Sequence, residues 1–192
     1  MNTGGDTQTI AIITARSAST RLPDKVLSDI CGKPMLQHIV DSAQRADVDN
    51  VVVATVEGDD KIINFCRENK ISFYAGSEDD ILGRLYHAAS WWKAGIIVRL
   101  WGDCPLVSTE RINATIEMHR TSPLAYNYTV SSDYTGVIAV TPFSVLKDAW
   151  ANLHNYDSRH WIHTYLSKQN ILSVDTQADL DVIRKLWVKL GR

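Results

Sequence analysis

Apolar and polar positions follow two different periods along this chain. Four runs, at residues 9–14, 50–55, 71–75 and 95–100, are short, mostly rich in Val and Ile, and show little alternation. Runs of that kind predict strands covered on both faces, as in a parallel sheet. Between them the period lengthens. Residues 34–45 bring Met35, Leu36, Ile39, Val40 and Ala43 to one helical face, and residues 59–69 and 79–93 also read as helices. This β-α-β-α order predicts an α/β three-layer sandwich, with a mainly parallel sheet and helices on both faces.

Beyond Pro105 the rhythm loosens. The pattern predicts a helix at 109–120, strands at 125–130 and 136–140 that pair antiparallel, and helices at 143–153 and 159–168. A short strand at 171–174 and a final helix from Thr176 complete the reading. Thr176 and Asp179 resemble a capping box, and Leu180, Ile183, Leu186, Trp187 and Leu190 form the apolar stripe of that helix. No repeat or linker interrupts the chain, so residues 1–192 read as one domain with a flexible stretch at 1–8.

Composition narrows the function classes. A chain of 192 residues that is 45% hydrophobic is large enough for a sizeable core. Its formal net charge of −2 argues against nucleic acid as a bulk electrostatic partner. No apolar run is long enough to span a membrane, and the polar opening MNTGGDTQ does not read as a secretory signal. Cys31, Cys66 and Cys104 form no C-x-x-C pair, so neither a zinc knuckle nor a redox motif is offered. Reduced thiols in a cytoplasmic protein are the simplest expectation.

The chemistry concentrates at predicted strand ends. After the first strand, "ARSASTRLPDK" packs Arg16, Arg21 and Lys25 together with Ser17, Ser19 and Thr20. Such a cluster repels itself unless something negative sits within it. In open α/β sheets ligands bind at the carboxyl ends of the strands, and these donors suit a triphosphate. A solvated charged loop is the alternative, and the glycine pattern of a Walker A loop is absent. In "VRLWGDCP", Asp103 follows a second buried strand. It reads either as a turn residue or as a Mg²⁺ ligand, since Mg²⁺ takes one or two carboxylates plus substrate phosphates. Asp175 in "LSVDTQADL" likewise either enriches a helix start with negative charge or joins Asp103 on the metal. Glu78, Asp79 and Asp80 read as the solvated first turn of a helix. His160 and His163 lack the Glu of a zincin helix. Trp91, Trp92, Trp150 and Trp161 read as core or lid residues.

These motifs resemble the cytidylyltransferases that activate sugar acids, whose opening pattern is A-R-x-x-S-x-R-L-P-x-K. The spore-coat polysaccharide (SpsF-type) members and the CMP-Kdo synthetases come nearest. "VVVATVEGDDKI", "AGSEDDILGRLYHAA", "VRLWGDCPLV" and "SVDTQADLDVIRKL" follow in the same order. The resemblance implies a nucleotide-diphospho-sugar transferase (GT-A-like) fold. It implies a reaction of CTP with an acidic sugar that gives a CMP-sugar, for polysaccharide biosynthesis, and pyrophosphate. By the same resemblance Ala15, Arg16, Ser19, Arg21 and Lys25 hold the nucleotide phosphates. Asp103 and Asp175 hold Mg²⁺, Arg84 lies near the cytosine, and Arg159 meets the sugar. Arg16, Arg21, Lys25 and Asp103 would then carry catalysis. Departures stand out as well, among them the absence of the usual acidic residue around "GVIAVTPF". Asp24 replaces a usual glycine, which Asp tolerates better than most residues where the backbone is left-handed. His160 and Trp161 replace the Glu and His of an R-E-H-V-T stretch. The chain is also shorter than CMP-Kdo synthetases where those enzymes build their dimer contact. The nucleotide half is therefore kept and the sugar half altered, so a homodimer is possible without support from the length.

Overall fold

The computed structural model describes residues 8–19, 21–121 and 129–152, together with Gln177, Leu180, Asp181, Arg184 and Val188. From β1 (Gln8–Thr14) the chain passes through a loop and a 3-10 turn (Lys25–Leu27) into a small hairpin, β2 (Asp29–Ile30) and β3 (Lys33–Pro34). There follow α1 (Met35–Gln44), β4 (Asn50–Val56), α2 (Asp60–Glu68), β5 (Ser72–Gly76), α3 (Ile81–Trp91) and β6 (Ala94–Trp101). The described elements end with α4 (Thr109–Thr121), β7 (Thr129–Asp133), β8 (Gly136–Pro142) and α5 (Phe143–Asn152).

β1 lies inside the sheet because it offers no polar face. Ile10, Ala11, Ile12 and Ile13 are each fully buried, which requires cover on both sides. β1 pairs in parallel with β4 and with β6, and β5 extends the sheet beyond β4. The six-stranded order is β5-β4-β1-β6-β8-β7, with β8 and β7 antiparallel. The chain thus steps outward from β1 to β5, then crosses back to β6 on the other side of β1. Right-handed crossovers put α1 and α2 on one face and α3 on the other. α4 packs on α1, and α5 packs on α3. The three-layer expectation holds, and the strand order reverses between β1 and β6, where such sheets open a crevice.

Helix starts are set by acidic caps. Asp59 accepts from the Ile62 N–H to cap α2, and Asp80 accepts from the Gly83 N–H to cap α3. Glu78, Asp79 and Asp80 therefore precede α3 and do not form its first turn. On α3, Tyr86 stacks on Trp150 of α5 at 4.3 Å between ring centroids. Trp150 is packed as expected, whereas Trp91 ends α3 with 75% exposure and belongs to no core.

Two local elements differ from the pattern-based reading. β7 is described over Thr129–Asp133 and so runs past residue 130, where the expected strand ends; residues 125–128 of that expectation lie outside the described residues. Its sequence TVSSD carries little apolar signal, and the pairing is imposed from outside by the tight turn between Asp133 and Gly136. Gly136 has φ +139, and a Cβ there would lie 2.6 Å from Cys104 Cβ. The β2–β3 hairpin was not anticipated; it turns through Cys31 and Gly32, both at positive φ. Leu180 buries against Ile30, Met35 and Leu106, as its place in the apolar stripe predicts. The elements expected at 159–168 and 171–174 lie outside the described residues. Among the described residues no helix is long and apolar enough to cross a membrane.

Two histidines link this packing to pH. His38 on α1 is buried, and its ring Nε2 donates to the Ile30 carbonyl at 2.8 Å. His119 on α4 is buried as well. Burial pushes both imidazoles below their ordinary value of 6.5. The unfolded chain then binds more protons than the folded one as pH falls below 6.5, so stability rises with pH through this window. Urea unfolding midpoints should fall as pH drops from about 7 towards 5, and the slope should flatten in His119→Gln.

Candidate active site

The loop that leaves β1 is anchored before it displays any cation. Ala15 is buried and donates its N–H to the Ala54 carbonyl at 3.2 Å. The Ser17 N–H donates to Asp59 Oδ2 at 2.7 Å, while the other oxygen of Asp59 caps α2. One buried carboxylate therefore ties the loop to a helix start, a role for Asp59 that sequence reasoning missed. The signal was an acidic residue directly ahead of a helical period. Asp24 takes φ 55, ψ 21, so the left-handed backbone expected at this usual glycine position is present. Its carboxylate pairs with Lys61 of α2 at 2.6 Å. Ser19 Oγ accepts from the Leu22 N–H at 3.4 Å, which curls the loop back towards Lys25.

The second strand end meets this loop. The Gly102 N–H donates to the Thr14 carbonyl at 2.9 Å, extending the β1–β6 contact past the strand. A Cβ on Gly102 would come within 2.9 Å of both Ala15 Cβ and Thr14 O, so the close approach needs glycine. The next residue, Asp103, receives Lys25 Nζ at 2.9 Å on Oδ2. These side chains are only 13% and 25% exposed, which sets the pair apart from Arg16 and Glu78, which meet at 2.8 Å but are each about half exposed. Exposed pairs are worth little, whereas a half-buried pair is costly to break on one side.

Arg84 lies inward of the rim. Its guanidinium is buried, Nη1 donates to the Ser77 carbonyl at 2.9 Å, and Nε has no hydrogen-bond partner among the described residues. Burial, with a smaller contribution from Arg16, lowers its pKa, while Glu78 and Asp80 oppose the shift. Beside the loop opens a pocket of about 420 Å³, lined by Arg16, Ser17, Ser19, Asp24, Lys61 and Glu78. Of the expected site residues, Ala15, Arg16, Ser19, Lys25, Arg84 and Asp103 gather at the carboxyl ends of β1, β5 and β6 and at the start of α3. Arg21 is exposed on the same loop. Asp175 and Arg159 lie outside the described residues, as do His160, Trp161 and His163. Among the described residues no group of three acidic, histidine or cysteine side chains gathers closely enough to hold a metal ion.

The family model described as cytidylyltransferase matches residues 10–188. The chain belongs to the cytidylyltransferase family. Among curated relatives, the 3-deoxy-manno-octulosonate cytidylyltransferase of Geobacter sulfurreducens is 33% identical over 180 residues, covering 92% of this chain and 65% of that protein. The spore coat polysaccharide biosynthesis protein SpsF of Bacillus subtilis is 27% identical over 207 residues, covering 94% of this chain and 86% of its own length. This family member thus spans less than two thirds of the Geobacter protein. Among solved structures, a cytidylyltransferase from Leptospira borgpetersenii superposes with a TM-score of 0.85 at 23% identity, covering 95% of this chain and 87% of the other. A CMP:2-keto-3-deoxy-manno-octonic acid synthetase complexed with CTP superposes with a TM-score of 0.75 at 20% identity, covering 96% of this chain and 100% of the other. At these identities the two structures establish the fold, and it is the one anticipated from the motifs.

The contact at Gly102 gives a direct test. Gly102→Ala forces β1 and β6 apart where the two loops meet, and overpacking of this kind costs about 1–3 kcal/mol. A thermal melt should show a clear drop in midpoint. Nucleotide binding measured by calorimetry should weaken with it, because Ala15 and Asp103 flank the added methyl.

Proposed function

We propose that this chain joins CTP to an acidic sugar, giving a CMP-sugar and pyrophosphate, with Mg²⁺ as the divalent cation. The observation that carries the reading is the convergence of Lys25 and Asp103 at the point where the strand order reverses. A cation from the first loop and an acid from a distant strand end are brought within 2.9 Å, half-buried, beside further basic and hydroxyl side chains. The choice of CTP and of a sugar acid is supported by the names of the Geobacter relative and of the CTP-bound synthetase. The name of the Bacillus relative supports a role in polysaccharide biosynthesis. A cytoplasmic setting suits the three free cysteines.

In this reading the sugar hydroxyl attacks the α-phosphorus of CTP, and the bond to pyrophosphate breaks in line. Negative charge accumulates on the phosphoryl oxygens and the leaving group, so fixed cations supply much of the stabilisation. Arg16, Arg21 and Lys25 bear on the departing pyrophosphate. The backbone at Ala15, held by Ala54, and the Ser19 hydroxyl border its path. Arg84 serves the base: its buried Nε is a donor that an acceptor on cytosine would satisfy. Arg159 is assigned to the sugar carboxylate.

Asp103 fits a hard divalent cation. Its side chain is a quarter exposed, Oδ2 faces Lys25, and Oδ1 faces the Cys104 thiol at 3.8 Å, so the carboxylate is partly open to solvent and otherwise held by weak or displaceable partners. Asp103 and Asp175 would hold the cation, with substrate phosphates as further ligands. When bound, it supplies neutralisation of charge at the transferred phosphoryl group. Lys25, which pairs with the same carboxylate, would turn towards the substrate phosphates once that cation is held.

Pyrophosphate release from CTP with a panel of sugar acids, with and without Mg²⁺, tests the whole reading. Lys25→Met and Asp103→Asn should each lower turnover by roughly a hundredfold or more. Full turnover in Asp103→Asn would overturn the assignment of that carboxylate. Release from another nucleotide in preference to CTP would overturn the assignment of the base.

A further inference from the structure

Arg111 of α4 makes more hydrogen bonds to one neighbouring element than a surface arginine needs. Its side chain is only 15% exposed. Nη1 donates to Thr135 Oγ1 at 2.7 Å and meets Asp133 Oδ1 at 2.8 Å. Nη2 donates to the carbonyls of Ser131 at 2.9 Å and Gly136 at 2.8 Å. The guanidinium thus grips both strands of the β7–β8 hairpin and its turn.

The peptide that joins Gly136 to Val137 carries this grip to Cys104. Its carbonyl accepts from Arg111, and a Cβ on Gly136 would lie 3.1 Å from Cys104 Sγ, so the backbone packs directly on the thiol. The Cys104 thiol in turn donates to Asp103 Oδ1 at 3.8 Å. Gly136 packs so tightly here that a Cβ would sit 2.6 Å from Cys104 Cβ and 3.0 Å from Val107 Cγ2. Lys25 holds the other oxygen of Asp103.

We propose that Arg111 is a positioning residue: it presses the peptide between Gly136 and Val137 onto Cys104, and through that thiol it sets the orientation of the Asp103 carboxylate. The inference rests on the reading of Asp103 given above. It adds a role for a helix on the far side of the turn, and for a thiol with no chemistry of its own in the reaction. A guanidinium is required because four acceptors are met at once in fork geometry; the single ammonium of lysine cannot span them.

Four variants test it: Arg111→Lys, Cys104→Ala, Cys104→Ser and the Arg111→Lys/Cys104→Ala pair. Arg111→Lys should lower kcat for pyrophosphate release by roughly tenfold to a hundredfold, the size expected when a reacting group is misplaced by about 1 Å. KM for CTP should change by less than about threefold, since the phosphate cations are untouched. Cys104→Ser, which keeps a donor, should retain more of kcat than Cys104→Ala. The pair should fall no further than Arg111→Lys alone, because both act on one linkage.

Labelling of Cys104 by a thiol reagent, with exposed Cys31 as internal reference, gives a readout independent of turnover. It should speed up in Arg111→Lys at a temperature well below its melting point. Unchanged kcat in Arg111→Lys, or losses that multiply in the pair, would overturn the proposal. So would labelling at the wild-type rate. If Arg111→Lys does not fold, equal kcat in Cys104→Ala, Cys104→Ser and wild type overturns it. A wild-type protein that releases no pyrophosphate from CTP overturns the proposed function instead, and accelerated labelling would still support the grip of Arg111 on Cys104.

Discussion

Lys25 and Asp103 meet because β1 and β6 are parallel neighbours that end at the same level. Thr14 stands opposite Trp101 in the register, and the Gly102 N–H extends that pairing by one more hydrogen bond. A slip of one residue would turn every side chain of β6 to the other face and carry Asp103 away from the crevice. What prevents the slip is burial: β1 is apolar on both faces over Ile10 to Ile13, and Ile97, Val98 and Leu100 of β6 are equally buried. The placement of two charged groups is therefore decided by aliphatic packing several residues upstream. Glycine at 102 is the local condition, since any side chain there would collide with Ala15.

The electrostatics of the loop follow from the same geometry. The chain as a whole is nearly neutral, at −2, yet its first loop concentrates cations. Three basic groups beside the crevice each find a carboxylate from a different element: Arg16 with Glu78, Lys61 with Asp24, and Lys25 with Asp103. Such pairing allows the cluster to persist without a bound polyanion. The first two pairs are exposed and worth little, so a phosphate chain can replace those partners at small cost. The third is half-buried, and its loss on one side leaves a partly desolvated charge. Arrival of a charged ligand is then favoured where both members of that pair gain new partners together, as a polyphosphate and a divalent cation would provide.

Much of this was legible in residue order, and the failures have physical causes. The four parallel strands announce themselves as continuous apolar runs because burial on both faces leaves no room for polar residues. The helices from Met35, Asp60 and Ile81 begin within two residues of the expected positions: an apolar period marks all three, and a capping acid points to the same start in the second and third. The continuation of β7 to Asp133 escapes the pattern because those residues are strand by virtue of their turn and of Arg111, not of their own side chains. Glu78 reads as part of a solvated first turn, and Asp59 only as the first residue of a helical span. Pairing with Arg16 and anchoring of Ser17 are long-range contacts that no local spacing encodes. Asp24 was the reverse case. Its left-handed backbone was inferred from the glycine that usually stands there, and the φ of 55 agrees. Asp175 and Arg159 fall outside the described residues, so the convergence of both acids on one cation stands as a proposal.

The antiparallel half of the sheet completes the argument. Strands β5, β4, β1 and β6 alone would present the cation-rich loop after β1, but the G-D-C-P turn after β6 would have a free back. β8 starts directly behind that turn, with Gly136 against Cys104 and Val107. Arg111 draws the hairpin in by bonding to both of its strands, so a weakly apolar β7 is held by polar contacts where its own side chains offer little. Asp103 is thereby fixed from two directions, by Lys25 on the parallel side and by the Cys104 thiol on the antiparallel side. An acid held from one side alone would sweep a wider arc and lose the rigid placement that the proposed phosphoryl transfer demands of it. The antiparallel addition to an otherwise parallel sheet is thus part of the proposed site, and its polar contacts explain why the reach of β7, unlike the start of β8, could not be read from apolar periodicity.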